Sequence, residues 1–339
     1  MYKRQPFGLA PLNGSSSQVG AVGYTVGGGL GPMARRYGFA ADHVRRFTLV
    51  TADGQVRDVT ADSDPDLFWA VRGGKSTFGI VTDVEFDLMP VARFYGGAIA
   101  FPAEAARAVL HAWREWAPTL SDDTTTSVAM LRLPPDPSLP EPLRGRFVTM
   151  LRFLHLGSAE EGAALLAPMR ALATPLMDLV DEMPYAAVDA VHMDPTDPLP
   201  VRECGVALDA LPAAAVDALL DVAGPDVPAP LAMVEVRLLG GAIARGPQVP
   251  NAVAGRNAAF NVFVIGAPFG PPIEATVAGM AATVDAVRPW ACGGLLNFAG
   301  TATPEQVGRL WSAADRARLL AIRDRVDPTG LFATNIHIG

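Results

Sequence analysis

The sequence predicts an α+β fold, and three observations carry that prediction. The first is a glycine-dense stretch, Gly20-Ala21-Val22-Gly23-Tyr24-Thr25-Val26-Gly27-Gly28-Gly29-Leu30-Gly31, set among apolar, strand-like runs. Glycine tolerates φ > 0 and lets a backbone pass close to a ligand, so the stretch reads as a backbone-built cradle for a large cofactor. The second is Asp53-Gly54 between two strand-like runs, 47–50 and 55–59, a strong hairpin signal. The third is the pattern after about Tyr95, where strands and helices alternate without phosphate-cradling glycine turns.

Element by element, residues 6–91 read as short strands and turns. Residues 64–71 interrupt them as a short helix, with Asp64 at the N-cap and Pro65 in the first helical position. Residues 79–88 alternate apolar and polar side chains as a strand. Over 102–116, Ala106, Val109, Leu110 and Trp113 recur at helical spacing and mark one buried face. A proline-rich loop, 134–142, precedes a strand over 147–156. Ser158 and Glu161 form a capping box that opens the next helix. Residues 174–202, rich in Pro, Met and Asp, read as irregular. A helix over 211–222 closes at Gly224; strands follow at 232–239 and 261–265, then a helix at 274–287. Finally Thr303 caps a helix with Pro304 first and Gln306 completing the box; it runs to about Val326 and stops before Pro328. No internal repeat is visible.

Composition sets limits on function. The 339 residues are half hydrophobic and suffice for about two domains with sizeable cores. No apolar run reaches the ~18–20 residues of a membrane span. A formal charge of −8 argues against nucleic acid as a partner. Cys204 and Cys292 lie far apart, without metal-ligand spacing, and read as buried free thiols. The five histidines, His43, His111, His155, His192 and His337, show no paired spacing, so no metal centre is expected.

The order of the glycine stretch, Arg35-Arg36-Tyr37-Gly38, Asp53-Gly54, Asp64-Pro65-Asp66-Leu67-Phe68-Trp69-Ala70-Val71-Arg72-Gly73-Gly74 and Phe78-Gly79-Ile80-Val81-Thr82 resembles the FAD-binding domain of flavin oxidases of the para-cresol methylhydroxylase type. It is most similar to their berberine bridge enzyme-like branch, in its bacterial form. Leu295-Leu296-Asn297-Phe298 and the terminal Asp327-Pro328-Thr329-Gly330-Leu331-Phe332-Ala333-Thr334-Asn335 resemble that branch's closing segment. The resemblance implies the second subdomain of the FAD-binding domain over 6–91. It implies an α+β substrate domain with one antiparallel sheet over 92–298, and a closing segment over 299–339 that returns to the first domain. It also implies an absent upstream subdomain, which in the family holds the pyrophosphate loop and usually a flavin-linked His. Met-Tyr-Lys-Arg-Gln at positions 1–5 is what GTG TAT AAG AGA CAG encodes when GTG is read as a start, the end of a transposase adapter, so these residues read as an adapter-derived scar. Lys3 is one of only two lysines among 27 basic residues, which fits a foreign origin.

The resemblance assigns FAD contacts to Gly14, Ser16, Gly20, Gly23, Gly27, Gly28, Gly29 and Gly31, to Gly79, Ile80 and Val81 near the adenine, and to Asn297 and Asn335. Fixed backbone donors and acceptors suit the edges of such rings. The rival assignment of the glycines to a Rossmann loop fails on context: the acid at the expected offset, Asp53, belongs to a hairpin turn. Ser16 stands where some members carry a second, cysteinyl flavin link, and serine lacks the thiolate for it. Leu295 stands at the position of the family's tyrosine base, two residues before Asn297, and cannot accept a proton. Glu235 and Arg237, on one face of a strand by alternation, are the catalytic candidates, against a structural ion pair as the alternative. Arg256 and Asn257 are further candidates, and Tyr24 is read as packing.

The activity implied is that of an FAD-dependent oxidase acting on a C–H bond of a small alcohol, sugar or secondary metabolite, with O₂ as electron acceptor. Two alternatives stay open: a non-redox protein that keeps the fold, and a dehydrogenase using another acceptor.

Overall fold

The structure, a computed structural model, describes residues 7–75, 77–268, 270–300 and 302–332. The glycine-dense stretch and the residues after it depart from the expected strands, for they form two short helices, α1 (Ala21–Val26) and α2 (Ala34–Tyr37). Between them Gly28 and Gly29 take φ of 108° and 78°, which stops one helix and re-aims the chain into the next. The hairpin follows. β1 (Val44–Val50) pairs antiparallel with β2 (Val56–Val59), from Phe47 opposite Val59 to Val50 opposite Val56. Gly54, at φ 73°, closes the turn by donating its N–H to the Thr51 carbonyl at 2.9 Å. In α3 (Pro65–Val71) the Asp64 carboxylate accepts the Leu67 N–H at 3.0 Å, so cap and helix coincide with the sequence reading. β3 (Ile80–Phe86) pairs with the free side of β1, giving a three-stranded sheet in the order β2-β1-β3.

The second region is one antiparallel sheet covered by helices on one face. Its elements run β4 (Arg93–Pro102), α4 (Ala106–Trp116), β5 (Thr124–Arg132), β6 (Phe147–His155), α5 (Ala159–Arg170), β7 (Met177–Asp178) and β8 (Asp181–Pro184). They continue with β9 (Glu203–Leu208), α6 (Ala213–Ala223), β10 (Leu231–Leu238), β11 (Phe260–Gly266), α7 (Ile273–Ala286) and β12 (Ala291–Gly293). The strand order is β12-β9-β11-β10-β5-β6-β4-β7, with β8 also on β4. Residues 174–202, read as irregular, thus include two edge strands. Both are too short to show an alternating pattern. The main core lies between the sheet and its helices. Val109, Leu110 and Trp113 of α4 meet Leu151 and Phe153 of β6 and Val234 and Val236 of β10. Trp113 satisfies its indole by donating to Thr126 Oγ1 at 3.1 Å.

The closing segment holds two helices where one was expected, α8 (Pro304–Gly308) and α9 (Ala313–Val326). The Thr303–Gln306 capping box is present, with bonds of 2.7 and 3.3 Å, but Ser312 starts a second helix by accepting the Asp315 N–H at 3.0 Å. A competing cap so close downstream breaks the periodic run. Helix α9 lies on α3. Arg325 pairs with both oxygens of Asp64 at 3.0 Å, and the Arg318 guanidinium sits 4.2 Å from the Trp69 ring centre. The two sheet regions are tied by Arg35 of α2. Buried, it donates to the carbonyls of Thr124 at 2.8 Å, Leu120 at 3.0 Å and Leu239.

Candidate functional site

Helix α1 presents two different sides. A β carbon built at Gly20 or Gly23 meets no atom within 4 Å, and with Ala21 these residues form an exposed, nearly side-chain-free surface. Beside it lies a cavity of about 120 Å³, lined by Leu12, Asn13, Gly14, Ala21, Tyr24 and Thr25 among others. The glycines at and after the end of α1 have another surrounding. A β carbon at Gly27 would overlap the Asn297 side chain, and one at Gly31 the Asn13 carbonyl. At Gly28 it would meet Val253 at 3.2 Å, and at Gly29 Ala40 at 2.7 Å and Tyr24 at 2.8 Å. The run Gly27–Gly31 therefore makes room for this chain's own groups, as does Gly14, which lies against the Tyr24 ring at 3.3 Å, whereas Gly20 and Gly23 border open space.

Asn297 joins three separated segments. Its Oδ1 accepts from Lys75 Nζ at 2.7 Å, and its Nδ2 donates to the Tyr24 carbonyl at 2.8 Å. Lys75 holds φ at 64°, a left-handed conformation in a residue with a side chain, and its N–H and that of Gly73 both reach the Val26 carbonyl. Burial lowers the Lys75 ammonium's pKa, with Glu203 acting in the opposite direction. The loop after α3 is thereby pinned to the end of α1.

The sheet face opposite α4, α6 and the main core carries a buried polar group of side chains. Glu235 and Arg237 share that face of β10, as alternation requires. The Glu235 carboxylate accepts from Ser127 Oγ at 2.6 Å, Arg152 Nη1 at 2.6 Å and Arg237 Nη2 at 3.0 Å. Burial opposes its ionisation, but the Arg237 and Arg152 guanidiniums override this and hold it well below the usual carboxylate range. Arg237 Nη2 also donates to His192 Nε2 at 3.1 Å, and its guanidinium lies 5.4 Å from the Phe298 ring centre. Burial, with the two arginines adding to it, keeps His192 neutral by pushing its pKa well below the ordinary value. Asn261 of β11 stands opposite Arg237 in register, and Ser127 of β5 opposite on the other side. Tyr24 has a buried hydroxyl within electrostatic reach of Arg237, and burial pushes its phenol pKa far up, so it stays protonated.

The other sequence candidates fall elsewhere. Leu295 is buried in an apolar cluster with Leu30, Phe39, Leu239 and Ile243. Arg256 is held by Asp42 and by Asn251 Oδ1 at 2.9 Å, and Asn257 is exposed. Ser16 accepts the Gln18 N–H at 3.2 Å in the loop before α1. Gly79, Ile80 and Val81 open β3; Ile80 is exposed, and Gly79, at φ 148°, lies against the Val50 carbonyl. Asn335 lies outside the described residues. Sequence reasoning missed Ser127, Arg152, His192 and Asn261. One signal was available for Arg152: a lone charge inside the apolar run Phe147-Val148-Thr149-Met150-Leu151-Arg152-Phe153-Leu154, where a buried charge needs a partner.

Residues 3–60 match the FAD binding domain family model. Over 116 residues the chain is 39% identical to (R)-6-hydroxynicotine oxidase of Paenarthrobacter nicotinovorans, covering 34% of this chain and 22% of that enzyme. Among solved structures, 6-hydroxy-D-nicotine oxidase from Arthrobacter nicotinovorans superposes with a TM-score of 0.79 at 24% identity, over 97% of this chain and 73% of that one. BBE-like 1 of Physcomitrella patens gives 0.81 at 18% identity, over 100% and 74%. Against the curated relatives that it matches in sequence, the chain spans well under half of their length, 38% and 22% for the first two. The chain therefore carries a match to the FAD binding domain family over residues 3–60, and its overall fold is that of these solved flavin oxidase structures.

Proposed function

We propose that this chain forms the substrate side and part of the flavin side of the active site of an FAD-dependent oxidoreductase. Its substrate is a small molecule, an alcohol, sugar or secondary metabolite, oxidised at a C–H bond. The observation that supports this best is that α1 has a bare surface at Gly20, Ala21 and Gly23 while its Tyr24 lies within the electrostatic reach of Arg237 on the polar sheet face. A surface without side chains accepts a flat ring system, and the polar sheet face supplies side chains for a polar substrate. Bound FAD supplies the acceptor for a hydride. Gly20 and Gly23 border its space; Asn297 and Lys75 hold α1 in place; Glu235 orients Arg237. A carboxylate already accepting three hydrogen bonds is a weak base, so Glu235 is assigned a positioning role and Arg237 the contact with substrate.

The electron acceptor proposed is O₂. A panel of sugars, alcohols and hydroxy acids, added anaerobically to the flavin-loaded whole protein, should include a member that bleaches the flavin, and admitted air should restore its colour with oxygen uptake. Bleaching that air does not reverse would favour a dehydrogenase. The buried Leu295, at the position where the family's tyrosine is expected, favours a second reading, a non-redox protein that keeps the fold. Tight flavin binding with no bleaching by any member of the panel would decide for it.

A further inference from the structure

The polar sheet face holds more hydrogen-bond donors than its own residues can use. Arg152 Nε, Arg237 Nε and His192 Nδ1 are buried without partners, as are both ends of the Asn261 amide and the Tyr24 hydroxyl. The tautomer of His192 follows from its neighbour. Arg237 Nη2 can only donate, so Nε2 of the imidazole accepts and Nδ1 carries the hydrogen. Neutral His192 agrees with the depression of its pKa. The inventory is then lopsided: three N–H groups and an amide NH₂ stand against one free amide oxygen, while the Tyr24 hydroxyl can either donate or accept. Charge is lopsided too. Two guanidinium cations share the single carboxylate of Glu235, which leaves one positive charge uncompensated inside the protein. Unpaired buried donors and an unpaired buried charge are each costly, and they persist where a ligand completes them.

We infer that the substrate carries a carboxylate, and that Arg237, with His192 and Asn261 beside it, receives that group. A monoanion matches the one uncompensated charge, whereas a phosphate dianion overshoots it. Two acceptor oxygens match the excess of donors, and a planar carboxylate suits a guanidinium edge. The position fits as well, since Arg237 lies mid-sheet between Ser127 and Asn261 and under the Phe298 ring. This inference rests on the reading of the sheet face as a substrate site, but its test is binding and needs no turnover.

The probes are acetate, lactate and benzoate, each against its own amide, titrated calorimetrically into the flavin-loaded whole protein. At least one acid should bind more tightly than its amide by about tenfold or more, a difference that binding free energy resolves easily. Arg237→Gln should abolish that preference while retaining flavin, and Arg237→Lys should restore part of it. Asn261→Leu, which leaves the ion pairs in place, should weaken the acid selectively and serves if Arg237→Gln fails to fold. Equal affinity for acid and amide, no binding by any of the three acids, or a preference that survives Arg237→Gln would overturn the assignment. Selective binding of an acid without flavin bleaching would instead sink the oxidase reading and leave this one standing.

Discussion

The two sheets of this molecule treat charge in opposite ways. On the three-stranded sheet, Arg46 meets Asp58 and Asp83 at 3.0 Å and Glu85 at 3.5 Å, all on exposed surface. On the nine-stranded sheet, Arg152, Glu235 and Arg237 are buried to within 5% of full exclusion and leave several donors unpartnered. The first arrangement is screened by water and contributes little. The second carries a desolvation cost that packing alone does not explain. The region with unremarkable charges contributes a backbone surface, through glycines. The other contributes side chains. A binding site formed between them needs both, and each can be perturbed separately.

The largest effect should come from the buried cluster. Glu235→Gln leaves two guanidiniums facing a neutral amide, and breaking a buried pair in this way costs about 3–5 kcal/mol. Urea unfolding should show it, and a loss below about 1 kcal/mol would mean that water reaches the cluster. Next comes the packed half of the glycine run. Gly29→Ala puts a methyl into the space of Ala40 and Tyr24 at φ 78°, so about 2–3 kcal/mol should be lost, with flavin content falling only as folded protein falls.

Acid should expose the buried histidine. His192 has a folded pKa well below its ordinary 6.5. The unfolded chain therefore binds the proton first, and the stability that neutral His192 provides is present above about pH 6.5 and lost as pH falls below it. The slope attributable to one such group is at most about 1.4 kcal/mol per pH unit. His155, also lowered by burial, adds in the same direction. His192→Gln should flatten the profile between about pH 6.5 and 5 without removing the share due to His155. The smallest effect belongs to the exposed network: Arg46→Ala should leave the unfolding midpoint where it was, despite losing three acidic partners. A clear drop there would erase the contrast between the two sheets.

Local signals made much of this fold readable. The Asp53-Gly54 turn, the Asp64 cap, the two capping boxes and the apolar stripe of α4 each act within a few residues, and each forms as its chemistry requires. β10 is a regular strand, so alternation correctly put Glu235 and Arg237 on one face. What escaped depends on distance. β9, β5 and β4 show no clean apolar–polar alternation and are defined by their neighbours in the sheet. His192 reaches Arg237 from a stretch with no periodicity, and Ser127 reaches Glu235 across 108 positions. The glycine run is ambiguous for another reason. Its composition says that side chains are unwelcome, but not whether a ligand or the protein itself fills the space.

That last question has a direct test in Gly23, which sits within α1 with open space where its side chain would be. Gly23→Leu replaces a poor helix former with a good one, so stability should hold or rise by about 0.5–1 kcal/mol. The leucine would occupy the surface assigned to the flavin, and the flavin-to-protein absorbance ratio of the whole protein should collapse. A variant that is as stable as the parent and nearly colourless is the result expected. Full flavin occupancy in a folded Gly23→Leu protein would contradict the account, because the cofactor would then lie somewhere other than on α1.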